Sequence, residues 1–312
     1  MTHPILGLHH VTATVDDAQD DLDLFVNVLG LRLVKKTVNF DNHHVYHFYY
    51  GDERGTPGTL WTTFPYTGRG VPVGREGAGQ VTVTSFSVPA GSLAFWRARL
   101  AAHSVAANDI EGYFGEAAVG FSDASGLRFE LVASKHDRRT PWAHVVDHDA
   151  AIRGLHSVTM VVPAHAPTLD LMTTLLGYKV IDESEHRIRV GVHGGGPGTL
   201  IDIVADPGAD HATNGIGTVH HVAMSVANAE DQLRLRKELI QYGCKVTDVR
   251  DRCYFTSIYF REPGGVLFEV ATAGPGFLVD EGLPDLGRAL KLPLWEESFR
   301  MEIEAGLPPV TY

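Results

Sequence analysis

The sequence of 312 residues predicts an α+β fold made of four βαβββ modules, which pair to form two half-barrel clefts. Two observations predict this fold. A short strand segment recurs along the chain, and each copy is followed by a helical segment and then by further strands. The modules defined in this way span residues 5–65, 80–134, 152–205 and 216–272.

The first strand of each module is the clearest repeat. Segments 7–15, 154–162 and 218–226 read GLHHVTATV, GLHSVTMVV and TVHHVAMSV, and segment 80–88, QVTVTSFSV, is a weaker copy. In all of them apolar and β-branched residues alternate or run together, which is typical of strands. The repeat therefore predicts equivalent strands in equivalent modules.

Helical segments follow the first strands. Residues 16–29 begin with acidic side chains, which favour a helix N-terminus, and they end before Gly30, which favours a C-terminus. Helices are also expected near 91–102 and 228–242, and the helix of module three should end before Gly177. Each module thus has the helix that a βαβββ unit requires.

The last strand of each module follows a turn rich in Gly or Pro. In modules two and four the turn and strand read GLRFE and GVLFE, which end at Glu130 and Glu269. In modules one and three they read PGTLWT and PGTLID, which end at Thr62 and Asp202. These residues occupy one equivalent position, because each lies at the same distance from its turn glycine.

A charged segment, residues 135–149, separates module two from module three. The sequence therefore predicts an N-terminal half, 1–135, with modules one and two, and a C-terminal half, 150–272, with modules three and four. Residues 273–312 form a C-terminal tail with an amphipathic part. Two aromatic residues of that part could dock on the body: Trp295 and Phe299.

Composition excludes several classes of function. The formal net charge is −12, which gives no basic surface for nucleic acid. No run of about 18 apolar residues occurs in the sequence, so no membrane span is expected. The two cysteines, Cys244 and Cys253, argue against a disulfide framework and fit a cytoplasmic location. The oligomeric state stays open, and a homo-oligomer is compatible with the sequence.

Strand alternation directs metal-ligating residues into a cleft. Alternate residues from Val11 to Val15 form the apolar face of the first strand, so His10 faces the opposite side. The same register in module four directs His221 and Glu269 into a cleft. A single buried histidine is more often a core residue, but this combination matches the two-histidine, one-carboxylate set that holds Fe(II) in oxygenases.

The pairing of modules follows from where the histidines lie. The equivalent first-strand positions are His10, Val83, Ser157 and His221. Only a cleft built from modules one and four brings both histidines to Glu269. Modules two and three would then share a cleft without histidine, in which Glu130 and Asp202 are weak candidates for a lesser site.

Histidines also precede the proposed ligands. Strict alternation places His9 and His220 on the face opposite to His10 and His221. His156 occupies the same position in module three, where no ligand is expected. A shared structural role and a supporting contact with the ligands are both open.

These features resemble the vicinal oxygen chelate superfamily, which includes glyoxalase I, bleomycin-resistance proteins and extradiol dioxygenases. The segments LHHVT, GTPGT, VHH and PGGVLFE are most similar to the hydroquinone ring-cleaving dioxygenases, typified by dichlorohydroquinone 1,2-dioxygenase. The similarity covers residues 5–272. In extradiol catechol dioxygenases the histidines come from modules three and four, whereas here Ser157 fills one position and His10 replaces it.

The resemblance implies Fe(II) at His10, His221 and Glu269, with Mn(II) as an alternative metal. It also implies a set of residues around the substrate: His9, Thr12, His220, Arg252 and Tyr259. From the residues alone, Arg252 could equally lie on the surface and Tyr259 could be a packing residue. An aromatic face in module one could form apolar walls or belong to the core: Tyr46, Phe48 and Tyr50.

The expected function is an Fe(II)-dependent ring-cleaving dioxygenase that acts with O₂ on a hydroquinone or a related dihydroxy aromatic. Two rival functions stay open. A glyoxalase-type isomerase or lyase normally needs a fourth protein ligand, and that position holds Thr62. A non-catalytic protein that binds an aromatic or a quinone would need no metal site.

Overall fold

The structure, a computed structural model, describes residues 4–111 and 113–312. Residues 1–3 and Gly112 of the predicted N-terminal half lie outside these ranges. Within the described ranges, sixteen strands form two eight-stranded sheets against which the helices pack. The α+β fold with four βαβββ modules is therefore confirmed.

The first two modules have these elements: β1 (Ile5–Val15), α1 (Ala18–Leu22), β2 (Arg32–Asn39), β3 (Asn42–Gly51), β4 (Leu60–Pro65), β5 (Gln80–Pro89), α2 (Leu93–Ala102), β6 (Ala107–Glu111), β7 (Ala117–Ser122) and β8 (Arg128–Ser134). The α1 helix is capped by Asp17, whose side chain accepts hydrogen bonds from the backbone N–H groups of Gln19 and Asp20. It continues as a π-helix over Asp23–Val28, so helical structure spans most of the predicted segment.

The last two modules and the tail have these elements: β9 (Gly154–Val162), α3 (His165–Thr174), β10 (Lys179–Glu183), β11 (Arg187–Gly191), β12 (Leu200–Ala205), β13 (Thr218–Val226), α4 (Ala229–Tyr242), β14 (Arg250–Asp251), β15 (Phe255–Arg261), β16 (Leu267–Pro275) and α5 (Arg300–Gly306). The α4 helix ends at Tyr242 and is followed by Gly243, whose φ of 108° is readily adopted only by glycine. No helix in the described part of the chain is long and apolar enough to cross a membrane.

Sheet order confirms the predicted pairing of modules. One sheet has the order β14-β15-β16-β13-β1-β4-β3-β2, which joins module four to module one, and the other has the order β10-β11-β12-β9-β5-β8-β7-β6, which joins module three to module two. The join in the first sheet is the antiparallel pairing of β1 with β13. Each sheet thus takes one module from each half of the chain.

The core lies where alternation predicts it. Val11, Ala13 and Val15 of β1 are at most 1% exposed, and the equivalent residues of β13 are fully buried. Phe25 and Leu235, on the helices, are also fully buried and belong to the same hydrophobic cluster. Burial of one face of the central strands leaves their other face for the cleft.

The C-terminal tail packs on module one, mainly through residues other than the two suggested aromatics. Trp295 and Phe299 are 50% and 48% exposed, and their rings lie 5.8 and 6.0 Å from those of Phe40 and His43 in module one, so they contact the body without being buried there. Their burial is only partial because most of this segment is not helical and has no continuous apolar face; the α5 helix begins only at Arg300. The buried anchors of the tail are Phe277, Leu286, Leu292, Ile303 and Leu307.

A buried ion pair also fixes the tail. Lys35 in β2 is fully buried, and its ammonium group lies 2.6 Å from Asp280 and contacts the carboxylate of Glu281. Phe277 packs beside it against Tyr49 and Tyr254, with ring centroids 5.1 and 4.9 Å apart. The tail therefore packs against strand β3 and against the residue that precedes β15, beside the candidate metal ligands of the first sheet.

Candidate metal centre

Three candidate ligands converge at the centre of the first sheet. His10 lies in β1, His221 in β13 and Glu269 in β16, and these strands are neighbours. His10 Nε2 is 3.2 Å from His221 Nε2 and 3.4 Å from Glu269 Oε2, and His221 Nε2 is 2.8 Å from Glu269 Oε2. All three side chains are buried, with Glu269 at 0% exposure. The tertiary structure thus brings together residues more than 200 positions apart.

The spacing and chemistry of these atoms fit a divalent metal. Ligand atoms about 2.1 Å from an ion and at right angles to each other lie about 3.0 Å apart, close to the observed distances. Glu269 Oε2 is buried without an aligned hydrogen-bond donor among the described residues, although both imidazoles lie close to it. A metal ion would satisfy this carboxylate oxygen. The donor set, two imidazoles and one carboxylate, is the one that suits Fe(II) with open positions.

The electrostatics agree with metal ligation. Burial alone would raise the pKa of Glu269, but the adjacent His10 and His221 hold that pKa well below its ordinary value. Burial lowers the pKa of His221, which keeps its imidazole neutral. A charged carboxylate and a neutral imidazole are the forms that bind a metal.

Two β-bulges give His9 and His220 a different position from the one expected. The pairing of β1 with β13 shifts register at His9 and again at His220, so strict alternation fails there. His9 Nδ1 lies 2.9 Å from His10 Nδ1, and His220 Nδ1 lies 2.8 Å from His221 Nδ1. The prediction that they occupy the opposite face is therefore wrong, because each bulge turns two successive histidines toward one another.

These contacts orient the candidate ligands. A metal ligand must present the lone pair of Nε2, so in His10 and His221 the proton lies on Nδ1. Each Nδ1–H then donates a hydrogen bond to the neighbouring histidine. Burial lowers the pKa of His9 and of His220 to about 3, so both can accept as neutral rings. His156 repeats the geometry in module three, with its Nδ1 3.0 Å from Ser157 Oγ.

Ser257 supports Glu269 and is a residue that the sequence reasoning missed. Its hydroxyl donates a hydrogen bond to Glu269 Oε1, and Ser257 itself is fully buried. Oε2 is thereby left to face His10 and His221. Ser257 lies two residues before Tyr259 on β15, so strand alternation, applied to the residue that the resemblance implied, could have found it.

We expect Ser257→Ala to weaken metal binding by about 10–100-fold, because loss of an outer partner of a ligand typically costs that much. The measurement is the Fe(II) dissociation constant, obtained without O₂ by competition with a chelator. Ser85→Ala is the matched control, because Ser85 donates at 2.7 Å to Glu130 in the other sheet. An affinity within twofold of the unmodified protein would contradict a supporting role for Ser257.

A cavity of about 150 Å³ lies beside the ligand atoms and is bordered by His10, His221 and Glu269. Three of the residues assigned to the substrate by resemblance also border it: His220, Arg252 and Tyr259. Arg252 donates to the Tyr259 hydroxyl at 3.1 Å and pairs with Asp41 at 3.1 Å. Burial raises the pKa of Tyr259, which keeps its hydroxyl protonated. His9 does not border the cavity but contacts His10 and Phe255, which do, and the Thr12 hydroxyl is hydrogen-bonded to Thr62.

Thr12 lies in a chain of hydrogen bonds in module one. Its hydroxyl is 2.7 Å from the hydroxyl of Thr62, which is 3.0 Å from His47 Nε2. Thr62 occupies the position equivalent to Glu269, and its hydroxyl is already engaged on two sides. Module one therefore offers no fourth carboxylate ligand at this position.

The aromatic wall of the cavity comes from residues that were not singled out in the sequence. Tyr46, Phe48 and Tyr50 belong to the hydrophobic core, so of their two suggested roles the structure selects the core. The alternate residues of β3, together with neighbouring strands, supply the wall: His47, Tyr49, Phe64 and Phe255. Alternation could have found His47 and Tyr49, because they lie between the core residues of the same strand.

In the second sheet two arginines pair with the equivalent carboxylate of module three. Asp202 lies 2.7 Å from Arg189 Nε and 3.0 Å from Arg187 Nη1. In the strand register, Arg189 lies opposite Asp202 just as Tyr259 lies opposite Glu269 in the first sheet. An arginine therefore occupies the position in the second sheet that Tyr259, a cavity residue, occupies in the first. Glu130 accepts from Ser85. Both carboxylates thus have protein partners, and the expectation that they are at most weak candidates for a lesser site stays a prediction.

Comparisons with known proteins agree with this geometry. Residues 154–270 match the model of the Glyoxalase/Bleomycin resistance protein/Dioxygenase superfamily. A Bacillus subtilis relative named "Putative ring-cleaving dioxygenase MhqO" is 41% identical over 310 residues, which cover 99% of this chain and 98% of the relative. The chlorohydroquinone/hydroquinone 1,2-dioxygenase of Sphingobium indicum is 36% identical over 304 residues, which cover 95% of this chain and 94% of that enzyme.

A solved structure shows the same fold over its full length. The crystal structure of a Bacillus subtilis protein aligns with a TM-score of 0.94 at 40% identity and covers 99% of both chains. Similarity of this extent, together with the relatives, identifies the group. The chain belongs to the Glyoxalase/Bleomycin resistance protein/Dioxygenase superfamily, among its ring-cleaving dioxygenases.

Proposed function

We propose that this protein is an Fe(II)-dependent dioxygenase that opens the ring of a hydroquinone or a related dihydroxy aromatic. The observation that carries the proposal is the convergence of His10, His221 and Glu269 on one side of a cavity with aromatic walls. The name of the Sphingobium relative supports hydroquinones as the substrate class. Fe(II) is favoured over Mn(II) because the donor set is that of Fe(II) oxygenases.

The metal, held by His10, His221 and Glu269, would act as a Lewis acid toward a ring hydroxyl and offer open positions for O₂. The chain's own residues then bind and orient the substrate. Phe64 and Phe255 border the cavity with apolar rings, which exclude water and contact the faces of the aromatic substrate.

Polar residues of module four that border the cavity can donate hydrogen bonds to oxygen atoms of the substrate and of O₂. Arg252 keeps its positive charge, because burial is outweighed by Tyr259 and Asp41, which raise its pKa. With the protonated Tyr259 hydroxyl, it presents hydrogen-bond donors to negative charge that develops on oxygen. His220, whose Nδ1 is engaged with His221, has Nε2 left to donate into the cavity. These residues would therefore stabilise oxygen atoms beside the metal.

The rival functions are less well supported. An isomerase of the glyoxalase type needs a fourth ligand, but Thr62 is hydrogen-bonded to Thr12 and His47. A protein that only sequesters an aromatic needs no buried carboxylate between two imidazoles, which is costly to keep without a cation.

The proposed location is the cytoplasm, because Cys244 and Cys253 are both free thiols.

The test is O₂ uptake by protein reconstituted with Fe(II) under anaerobic conditions. With hydroquinones, we expect O₂ consumption and incorporation of both oxygen atoms into a ring-opened acid, detected by mass spectrometry with labelled O₂. Catechols, a Mn(II)-loaded sample and a hemithioacetal are the comparison arms. Metal-loaded protein that consumes no O₂ with any dihydroxy aromatic would overturn the proposal, and isomerisation of the hemithioacetal would favour the rival.

A further inference from the structure

His47 is a buried imidazole on the cavity wall that the proposed function has not yet used. It is 9% exposed, and its ring lies between those of Tyr49 and Phe64, with centroids 4.0 and 4.4 Å away. Nε2 is engaged with the Thr62 hydroxyl at 3.0 Å. Nδ1 has no hydrogen-bond partner among the described residues, and the side chain borders the cavity. A buried imidazole nitrogen that faces a cavity is available for a ligand.

The internal symmetry of the sheet assigns His47 a particular place. Tyr49 pairs with Thr62 in module one as Tyr259 pairs with Glu269 in module four. His47 and Ser257 each lie two residues before these tyrosines, and each bonds to the residue at the last-strand position. The Ser257 hydroxyl donates its hydrogen bond to Glu269, a proposed metal ligand, whereas His47 is bonded to Thr62, which is not a proposed ligand. His47 therefore has a fixed ring and a nitrogen left over.

The anchoring fixes the ring without using both nitrogens. Thr12 and Thr62 form a chain of hydroxyl groups that ends at Nε2, and aromatic rings hold the imidazole on two sides. Burial lowers the pKa of His47 well below its ordinary value, so the ring is neutral and Nδ1 is either a single donor or a single acceptor. A hydroxyl group on a ligand can satisfy either form, because it both donates and accepts.

We propose that His47 hydrogen-bonds the ring hydroxyl of the substrate that does not meet the metal, and so selects dihydroxy over monohydroxy aromatics. This inference rests on the proposed function, since it assumes that an aromatic ring occupies the cavity with one hydroxyl at the triad. Arg252 and Tyr259 lie on the module-four side of that ring, and His47 lies on the module-one side. Selection of the second hydroxyl therefore depends on His47.

The test compares binding of hydroquinone and phenol to Fe(II)-loaded protein without O₂, by titration calorimetry. The unmodified protein should bind hydroquinone more tightly than phenol. His47→Phe, which keeps an aromatic ring between Tyr49 and Phe64, should weaken hydroquinone binding roughly tenfold, the value of one hydrogen bond. Phenol binding should stay within twofold, and the iron content should not change.

Two further variants keep the test decisive if His47→Phe does not fold. His47→Gln, whose amide can replace one ring nitrogen, should retain part of the preference for hydroquinone. His43→Phe is the matched control, because His43 lies in the same strand but pairs with Glu296 outside the cavity. It should leave both affinities unchanged.

The outcomes separate this inference from the proposed function. Failure of the unmodified protein to bind any dihydroxy aromatic would remove the proposed function, and this inference with it. Equal preference for hydroquinone in the unmodified protein and in the His47 variants would overturn the role of His47 alone. Loss of iron in His47→Phe would also overturn it, because His47 would then act through the metal site.

Discussion

Alanine variants of His10, His221 and Glu269 are each expected to lack bound iron and ring-cleaving activity. Loss of an outer partner alone typically lowers metal affinity about 10–100-fold, so loss of a direct ligand should lower it by more than about 100-fold. The physical reason lies in the donor set: three atoms within 3.4 Å of one another would share one ion, and any two of them alone would hold it weakly. Metal content by mass spectrometry and O₂ uptake are the measurements.

The controls for this prediction come from equivalent positions in the second sheet. Glu130→Gln should keep full iron content, since Glu130 occupies the position of Glu269 where no histidine is present. Asp202→Asn should lower stability without loss of iron, because it leaves Arg187 and Arg189 poorly compensated. Full iron occupancy in any ligand variant would exclude that residue as a ligand. A second equivalent of metal, lost in Glu130→Gln, would show a site in modules two and three.

Replacement of Lys35 by methionine is expected to destabilise the protein by about 3–5 kcal/mol, the usual cost of breaking a buried ion pair from one side. Lys35 is fully buried and Glu281 is 8% exposed, so the substitution would leave a carboxylate without its cation. Since Lys35 and Phe277 together hold the tail against β3 and β15, the variant should also bind iron less tightly. The free energy of unfolding in urea measures the first effect.

A second substitution distinguishes charge from packing in this prediction. Glu281→Gln in the Lys35→Met background should recover part of the lost stability, because it removes the uncompensated charge. Lys237→Met, at an exposed position of α4, is the control and should change stability by no more than about 0.5 kcal/mol. A loss below about 1 kcal/mol in Lys35→Met would show that solvent or a rearranged tail compensates Glu281.

The repeats determined most of the fold. Equivalent segments at 7–15, 154–162 and 218–226 predicted equivalent strands, and the location of His10 and His221 predicted that module one pairs with module four. Both predictions are confirmed by the order of strands in the sheets. The structure also brings His10, His221 and Glu269 within ligand distance of a common point. Alternation sufficed here because residues on one face of adjacent strands must lie close together. That these residues bind iron stays a prediction.

Other features depended on contacts that no local pattern records. The bulges at His9 and His220 interrupt the alternation, because their register is set by pairing between β1 and β13. The partners of Lys35 lie in the tail about 245 residues away, and nothing near Lys35 in the sequence indicates them.

By itself, then, the sequence determined the four modules, their pairing and the residue types that face the metal cleft, because each follows from periodicity and repeats within short segments. Only the tertiary structure decided which side chains surround those residues: Ser257 beside Glu269, His9 and His220 beside the two histidines, and His47 on the wall of the cavity. Hydrogen bonds between distant strands depend on exact register and side-chain rotamers, and both are fixed only when the sheets close around their core.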